Sequence, residues 1–384
     1  MVFAGYMGFC YLLFKSLPQE RDTKNMKRLT HAELVEYIST INANTYADKR
    51  NYIDGSTRLS EYITRGAISL PAIRDIILET NSKEKAYKLL NELSWREYWQ
   101  LVWQTRGNDI FEYIRPAKSS LRPGIPTAVL EANTGIKALD DGIMQLQDTG
   151  YIHNHMRMWI AGMICNVAQC DWRTAADWMH SYLIDGDYAS NHLSWQWVAG
   201  SYTGKSYLPQ QDNINTYTKS IQRGTFLDQP YEVIADMPVP KPLEDITNWS
   251  PHHNAKLPSS TITIDKVNKA SEILLYSPWT LDPNWRSDSQ ALRLLLLDSN
   301  MFTTQAFNQN VIDSIMWFAA QIPNLEILYD SPETLQPISD RIIRKYYAGI
   351  MSWPGVVDPA ELLHPQVPIK FYPSFSAYWK KVAA

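Results

Sequence analysis

Between His31 and about Tyr231 apolar residues recur at steps of three and four, a period that predicts helices almost throughout. Residues 85–104 set Trp95, Trp99 and Trp103 four apart on one helical face, and residues 136–168 carry an apolar stripe interrupted at Gly150, where a turn is expected. Pro116, Pro123 and Pro126 mark a loop between these helices. The pattern amounts to one helical domain of about 200 residues. Residues 233–260, punctuated by Pro238, Pro240, Pro242, Pro251 and Pro258, read as a linker. Beyond them the period changes. Short apolar runs at Glu272–Tyr276, Leu292–Asp298 and Leu325–Asp330 alternate with helical stretches such as Val311–Gln321, which predicts a parallel α/β sheet.

Composition narrows the class. A chain of 384 residues, 45% hydrophobic with net charge -4, reads as globular and holds one large or two ordinary domains. That charge argues against a strongly basic nucleic-acid binder but leaves room for a local basic groove. The 14 Trp and 22 Tyr exceed ordinary usage and suit base stacking or electron transfer as well as core filling. Cys10, Cys165 and Cys170 are too few for a disulfide framework or a four-ligand metal site, so a reducing, cytoplasmic setting and no bound metal are expected. The apolar run 2–14 lacks a basic flank and is shorter than the ~20 residues that span a bilayer, so no membrane anchor is expected; Met7 and Met26 are alternative starts.

The chemistry concentrates at Asp185-Gly186-Asp187-Tyr188-Ala189-Ser190-Asn191-His192-Leu193-Ser194-Trp195-Gln196-Trp197. Two acids flanking a glycine suit a loop or helix start, where carboxylates accept from backbone N–H groups. Capping leaves Asn191, Trp195 and Trp197 unexplained, because an amide and two indoles at these spacings cannot share one buried helical face.

This segment resembles the flavin-binding core of the cryptochrome/photolyase family. Thr149-Gly150-Tyr151-Ile152-His153-Asn154-His155-Met156-Arg157-Met158 is similar to a second family motif. Asn91-Glu92-Leu93-Ser94-Trp95-Arg96-Glu97-Tyr98 is similar to a third, and Ser56-Thr57-Arg58-Leu59-Ser60-Glu61-Tyr62 to the phosphate-binding segment. Taken singly, an ordinary N-cap accounts for Ser56–Ser60 and core packing for tryptophans at steps of four. Together, in family order, the motifs imply an all-α FAD-binding domain of the photolyase type over 30–232, behind a segment 1–29. A smaller α/β domain with a parallel sheet follows over 261–384. The family's α/β antenna domain comes first, whereas here it is expected last. Phe371–Lys380 is similar to the piece that closes the antenna domain, and an unrelated α/β module is the alternative.

The resemblance implies FAD as cofactor, held by Tyr46, Ser56, Thr57, Arg58, Leu59, Ser60, Arg157, Asp185, Gly186, Asp187 and Asn191. It implies an Arg157–Asp185 ion pair beside the flavin, Asp187 at the ring edge and Asn191 facing N5. Trp195 and Trp172 match the inner members of a tryptophan electron chain. Residues 104–158 contain no tryptophan, so Trp159, Trp178 or a tyrosine has to serve as outer donor. Glu92, Trp95, Asn154, Met158 and Trp197 match a pocket for a flipped pyrimidine dimer, with Glu92 hydrogen-bonding the base. The implied function is light-driven repair of pyrimidine dimers in damaged DNA by a monomer, with an antenna chromophore of unspecified identity. The alternatives are a cryptochrome-like blue-light photosensor and a relative that has lost both roles.

Overall fold

The computed structural model describes residues 27–116 and 121–382. The apolar run 2–14, Met7, Cys10 and Met26 lie outside the described residues.

The longest helix, Lys83–Arg106, starts where Ser82 accepts from the Lys85 N–H and stops at Gly107, whose φ of 57° no side-chain-bearing residue adopts cheaply. The stripe expected over 136–168 folds as helices Lys137–Thr149 and Asn154–Gly162, extended by a wide turn at Met163–Val167. Gly150 separates them for two reasons. Its φ is 72°, and a Cβ there would lie 2.7 Å from both the Tyr182 carbonyl oxygen and Ile184 Cγ2. This close approach seats the Asn154–Gly162 helix against the chain that follows helix Trp172–Tyr182. Helix Tyr188–Ala199 then begins at Asp187 and ends at Gly200.

Residues 233–249, expected as linker, are instead packed chain. Helix Tyr231–Asp236 buries Ile234, the turn Lys241–Leu243 buries Leu243, and Ile246–Thr247 pairs antiparallel with Ile125–Pro126. Both buried side chains join the helical core that holds Trp159, Trp172 and Trp195. Prolines fix φ without keeping neighbouring side chains in water, so their density overstated the break.

The C-terminal sheet has five parallel strands: β1 (Ile273–Tyr276), β2 (Leu292–Asp298), β3 (Leu325–Asp330), β4 (Ile342–Lys345) and β5 (Val356–Asp358), in the order β3-β2-β1-β4-β5. Ile273 is in register with Leu292 on one side and Ile342 on the other. The apolar runs predicted β1 to β3. The strands β4 and β5 carry too few consecutive apolar residues to announce themselves.

The sheet does not have a core of its own. Alternate residues point to opposite faces, and each face packs against N-terminal helices as well as against helices and loops of the α/β part. Leu274, Tyr276, Leu295 and Leu297 share a core with Leu34, Ile73 and Leu89, whereas Ile273, Leu275, Leu294 and Leu296 share one with Tyr98, Trp99 and Trp103. The Lys83–Arg106 helix therefore contributes to both cores, and the two halves of the chain are one packed body. The closing helix Phe375–Val382 lies on it too: Glu97 is buried and accepts from the His364 N–H at 3.1 Å and the Tyr378 hydroxyl at 2.8 Å, and also from the Leu363 N–H.

Candidate functional site

The loop between Tyr182 and Tyr188 is gripped from several elements. Asp187 Oδ1 accepts from the Ser190 N–H at 2.7 Å, which caps the following helix. Its Oδ2 accepts from Gln100 Nε2 at 2.7 Å and the Tyr347 hydroxyl at 3.3 Å, with an Arg96 Nη2 at 3.4 Å. Asp185, buried, receives Arg157 Nη2 at 3.0 and 2.8 Å on its two oxygens. Burial pushes its pKa up, but the Arg157 charge and hydrogen bond, with a Ser60 hydrogen bond, outweigh that and hold the carboxyl below its ordinary value. The loop backbone is fixed as well: Arg65 Nη2 donates to the Ile184 oxygen at 2.6 Å, and Thr64 Oγ1 to the Asp185 oxygen at 3.0 Å. Burial lowers the Arg65 pKa only to about 10, so it stays a cation at neutral pH.

The 56–60 turn meets the Asn154–Gly162 helix at Tyr151. Ser56 Oγ lies 2.9 Å from the Tyr151 hydroxyl and accepts from the Arg58 N–H at 3.0 Å. Arg58 sits at φ 57°, a left-handed conformation costing about 1–3 kcal/mol for a residue of this kind. Its guanidinium lies 3.6 Å from the Tyr151 ring centroid, and among the described residues no carboxylate pairs with it. The Thr57 oxygen accepts from Tyr37, Leu59 is buried, and Ser60 opens helix Ser60–Thr64. A guanidinium without an acid partner, beside the hydroxyls of Ser56, Thr57 and Ser60, is the donor set that a diphosphate requires. These residues fit the phosphate part of FAD. Tyr46, partly buried nearby, has its phenol pKa raised by burial first and the Glu92 charge second.

Asn191 is buried, and its Nδ2 donates to the Ala176 oxygen at 2.9 Å, so the neighbouring helix sets its orientation. Trp195 and Trp172 are buried in one core cluster. Of the candidate outer donors, Trp159 and Trp178 are both buried, whereas partly buried Tyr113 has its ring 6.0 Å from that of Trp172.

Glu92 is 39% exposed and pairs with Arg50 at 3.4 Å and Lys88 at 3.9 Å. Arg50 also ties it to the next element, because the Arg50 carbonyl oxygen lies 3.0 Å from His153 Nε2, beside Asn154. Asn154 Nδ2 reaches Met158 Sδ at 3.6 Å. Met158 and Trp197 pack on one core cluster, Trp197 and Trp95 on another. Trp95 is not an open wall. One of its faces is stacked on Phe375 of the C-terminal helix, centroids 3.9 Å apart and planes at 9°, so only the opposite face is left for a base.

Sequence reasoning missed Arg96 and Gln100, although Arg96 directly follows Trp95 and Gln100 lies about one and a half turns further on. It also missed Tyr347 and Trp279, whose distance along the chain from Asp187 gave no signal. A further cavity of about 280 Å³ lies where the Trp172–Tyr182 and Tyr188–Ala199 helices meet residues 304–306 of the α/β part, lined by Phe111, Tyr188, Trp249, His180 and His192. His192 Nε2 lies 2.9 Å from Asp177, and His180 Nε2 is buried without a hydrogen-bond partner. Burial, then the His192 charge, keeps His180 well below its ordinary pKa and hence neutral. Among the described residues no helix is long and apolar enough to cross a membrane.

Residues 89–249 match the family model described as the FAD binding domain of DNA photolyase. A deoxyribodipyrimidine photo-lyase of Alkalihalophilus pseudofirmus is 31% identical over 46% of this chain and 38% of its own length. A cryptochrome DASH of Idiomarina loihiensis is 28% identical over 51% of this chain and 46% of its own. The solved cryptochrome of Synechocystis sp. PCC6803 is 22% identical, with a TM-score of 0.46 over 52% of this chain and 46% of that one. The chain thus spans less than half the length of the curated relatives it matches. Its helical part is a photolyase-type FAD-binding domain.

Proposed function

We propose that the chain is a light-driven DNA repair enzyme acting, as a monomer in the cytoplasm, on cyclobutane pyrimidine dimers. The observation that supports the reading is the rim where Glu92, 39% exposed, is joined through Arg50 and His153 to Asn154, with Trp95 and Trp197 partly buried on one core cluster. Exposed ion pairs such as those of Glu92 are worth about 0–1 kcal/mol, so a ligand displaces them readily. When bound, reduced FAD supplies one electron to the dimer under blue or near-ultraviolet light, and the electron returns after the ring splits.

The protein's part is holding and positioning. Ser56, Thr57, Arg58 and Ser60 would hold the diphosphate, and Arg157, Asp185, Gly186, Asp187 and Asn191 would hold and orient the flavin ring. Glu92 and Asn154 hydrogen-bond the imide edge of a flipped base, while Trp95, Met158 and Trp197 form its apolar walls. Trp195 and Trp172 conduct electrons inward, with Tyr113 as outer donor. The α/β part is read as an antenna domain moved behind the helical one, and the cavity of about 280 Å³ at the boundary is the seat assigned to its chromophore.

Two observations favour a photosensor instead: Phe375 covers one face of Trp95, and the net charge is -4. The test is repair of defined cyclobutane and (6-4) lesions under blue light by chain loaded with reduced FAD. Loss of the cyclobutane dimer under light alone is expected; unchanged lesions hand the function to the sensor reading. In the same assay Trp195→Phe is expected to block photoreduction of oxidised flavin while enzyme reduced beforehand still repairs. Equal photoreduction in variant and wild type shows that electrons arrive by another route.

A further inference from the structure

Asp187 is held by a side chain that belongs to the other half of the molecule. Tyr347 follows β4, and its hydroxyl donates to the same Oδ2 that receives Gln100 and Arg96. Its ring is stacked on Trp279, centroids 5.1 Å apart and planes at 8°, and Trp279 Nε1 points at the Gly186 oxygen at 3.5 Å. Nearby, Arg65 donates to the Pro278 oxygen at 3.2 Å and to the Ile184 oxygen at 2.6 Å, so one guanidinium joins the sheet end to the 183–187 loop. The Asp185–Asp187 loop is thus gripped by the α/β part on the side away from Arg157.

We propose that Tyr347 is a positioning residue for the flavin: its phenol fixes the Asp187 carboxylate, and the α/β part is thereby a structural component of the FAD site. The inference rests on the reading of Asp187 as a flavin contact. Oδ1 is committed to capping the Tyr188–Ala199 helix, so the orientation of the carboxylate is decided at Oδ2. Gln100 and Arg96 approach from the single helix Lys83–Arg106. Tyr347 is the donor from the opposite part of the fold, and without it the carboxylate is free to follow Gln100. Burial, then the Asp187 charge, raises the phenol pKa well above its ordinary value, so the group remains a donor at any working pH.

Tyr347→Phe tests this, because it keeps the ring on Trp279 and removes only the hydroxyl. Its neighbour Tyr346 supplies the control, since the Tyr346 hydroxyl is buried with no hydrogen-bond partner. In full-length protein, Tyr347→Phe is expected to weaken FAD binding about 3–10-fold and to shift the visible band and reduction midpoint of bound FAD, the loss of one hydrogen bond to a charged group. Tyr346→Phe, which removes only a buried hydroxyl without a partner, should leave FAD affinity and spectrum unchanged. An FAD affinity and spectrum in Tyr347→Phe identical to wild type overturn the inference. A wild-type chain that takes up no FAD overturns the flavin reading itself, and this inference with it.

Discussion

Arg157→Met is expected to cost the chain about 3–5 kcal/mol and most of its bound FAD. The reason is asymmetry in burial: the Arg157 side chain is 23% exposed, whereas that of Asp185 is 2% exposed. Removing the arginine leaves a buried carboxylate without its directly paired counter-charge. Asp185→Ala should cost less stability, because the stranded guanidinium can turn to solvent, yet it too should lose FAD. The pH dependence gives a second readout with a definite sign. In the wild type the Asp185 carboxyl is held below its ordinary value, so the pair's contribution is complete above about pH 4 and is lost as the pH falls further. In Arg157→Met the largest opposition to burial is gone and only the Ser60 hydrogen bond and the Arg96 charge remain, so the folded-state pKa rises relative to the wild type. The stability the wild type keeps above about pH 4 is then reduced, and urea midpoints measured between about pH 3 and 9 should rise less with pH in the variant. Parallel curves, with FAD retained in both, rule out the pair as an anchor of the site.

DNA carrying a cyclobutane dimer is expected to bind about 10–100-fold more tightly than undamaged DNA. Flipping a damaged, poorly stacked step costs less than the few kcal/mol an intact one requires, and each aromatic stack returns about 1–3 kcal/mol. Trp95→Ala should remove most of this preference with FAD still bound. The salt dependence of binding to undamaged DNA should not change, since phosphate contacts carry no lesion information. The stack of Phe375 on Trp95 sharpens the test. If the base uses the opposite face, Phe375→Leu keeps the preference, because it removes the far side of the stack and not the wall. Equal binding of dimer and undamaged DNA by the wild type at physiological salt sinks the repair reading and leaves the photosensor.

Most of what local physics decides was readable in order along the chain. Tryptophans at steps of four announced the Lys83–Arg106 helix, and Gly150 announced the break in the following stripe. The acids around Gly186 announced a helix start, which Asp187 provides. The runs at 272–276, 292–298 and 325–330 announced three strands of a parallel sheet. The misreadings share a cause. Ile342–Lys345 is two isoleucines followed by two basic residues, and Val356–Asp358 is three residues at the sheet edge, so neither carries a periodicity long enough to detect. The proline-rich stretch reads as a linker because its composition shows where backbone amides are missing, not where Ile234 and Leu243 are buried.

By itself, then, the sequence determined the helices, their caps, the three central strands and the order of the motifs that point to a flavin, because each depends on residues a few positions apart. Tertiary structure alone decided what those motifs meet. Tyr347 lies 160 positions from Asp187, and Phe375 is similarly remote from Trp95. Contacts of that kind are selected by how two surfaces fit once helices and sheet share a core, and no local period records the fit. The same holds for the Lys83–Arg106 helix, whose residues enter both cores: its pattern showed that it is buried, but only packing against the two faces of the sheet decided by what.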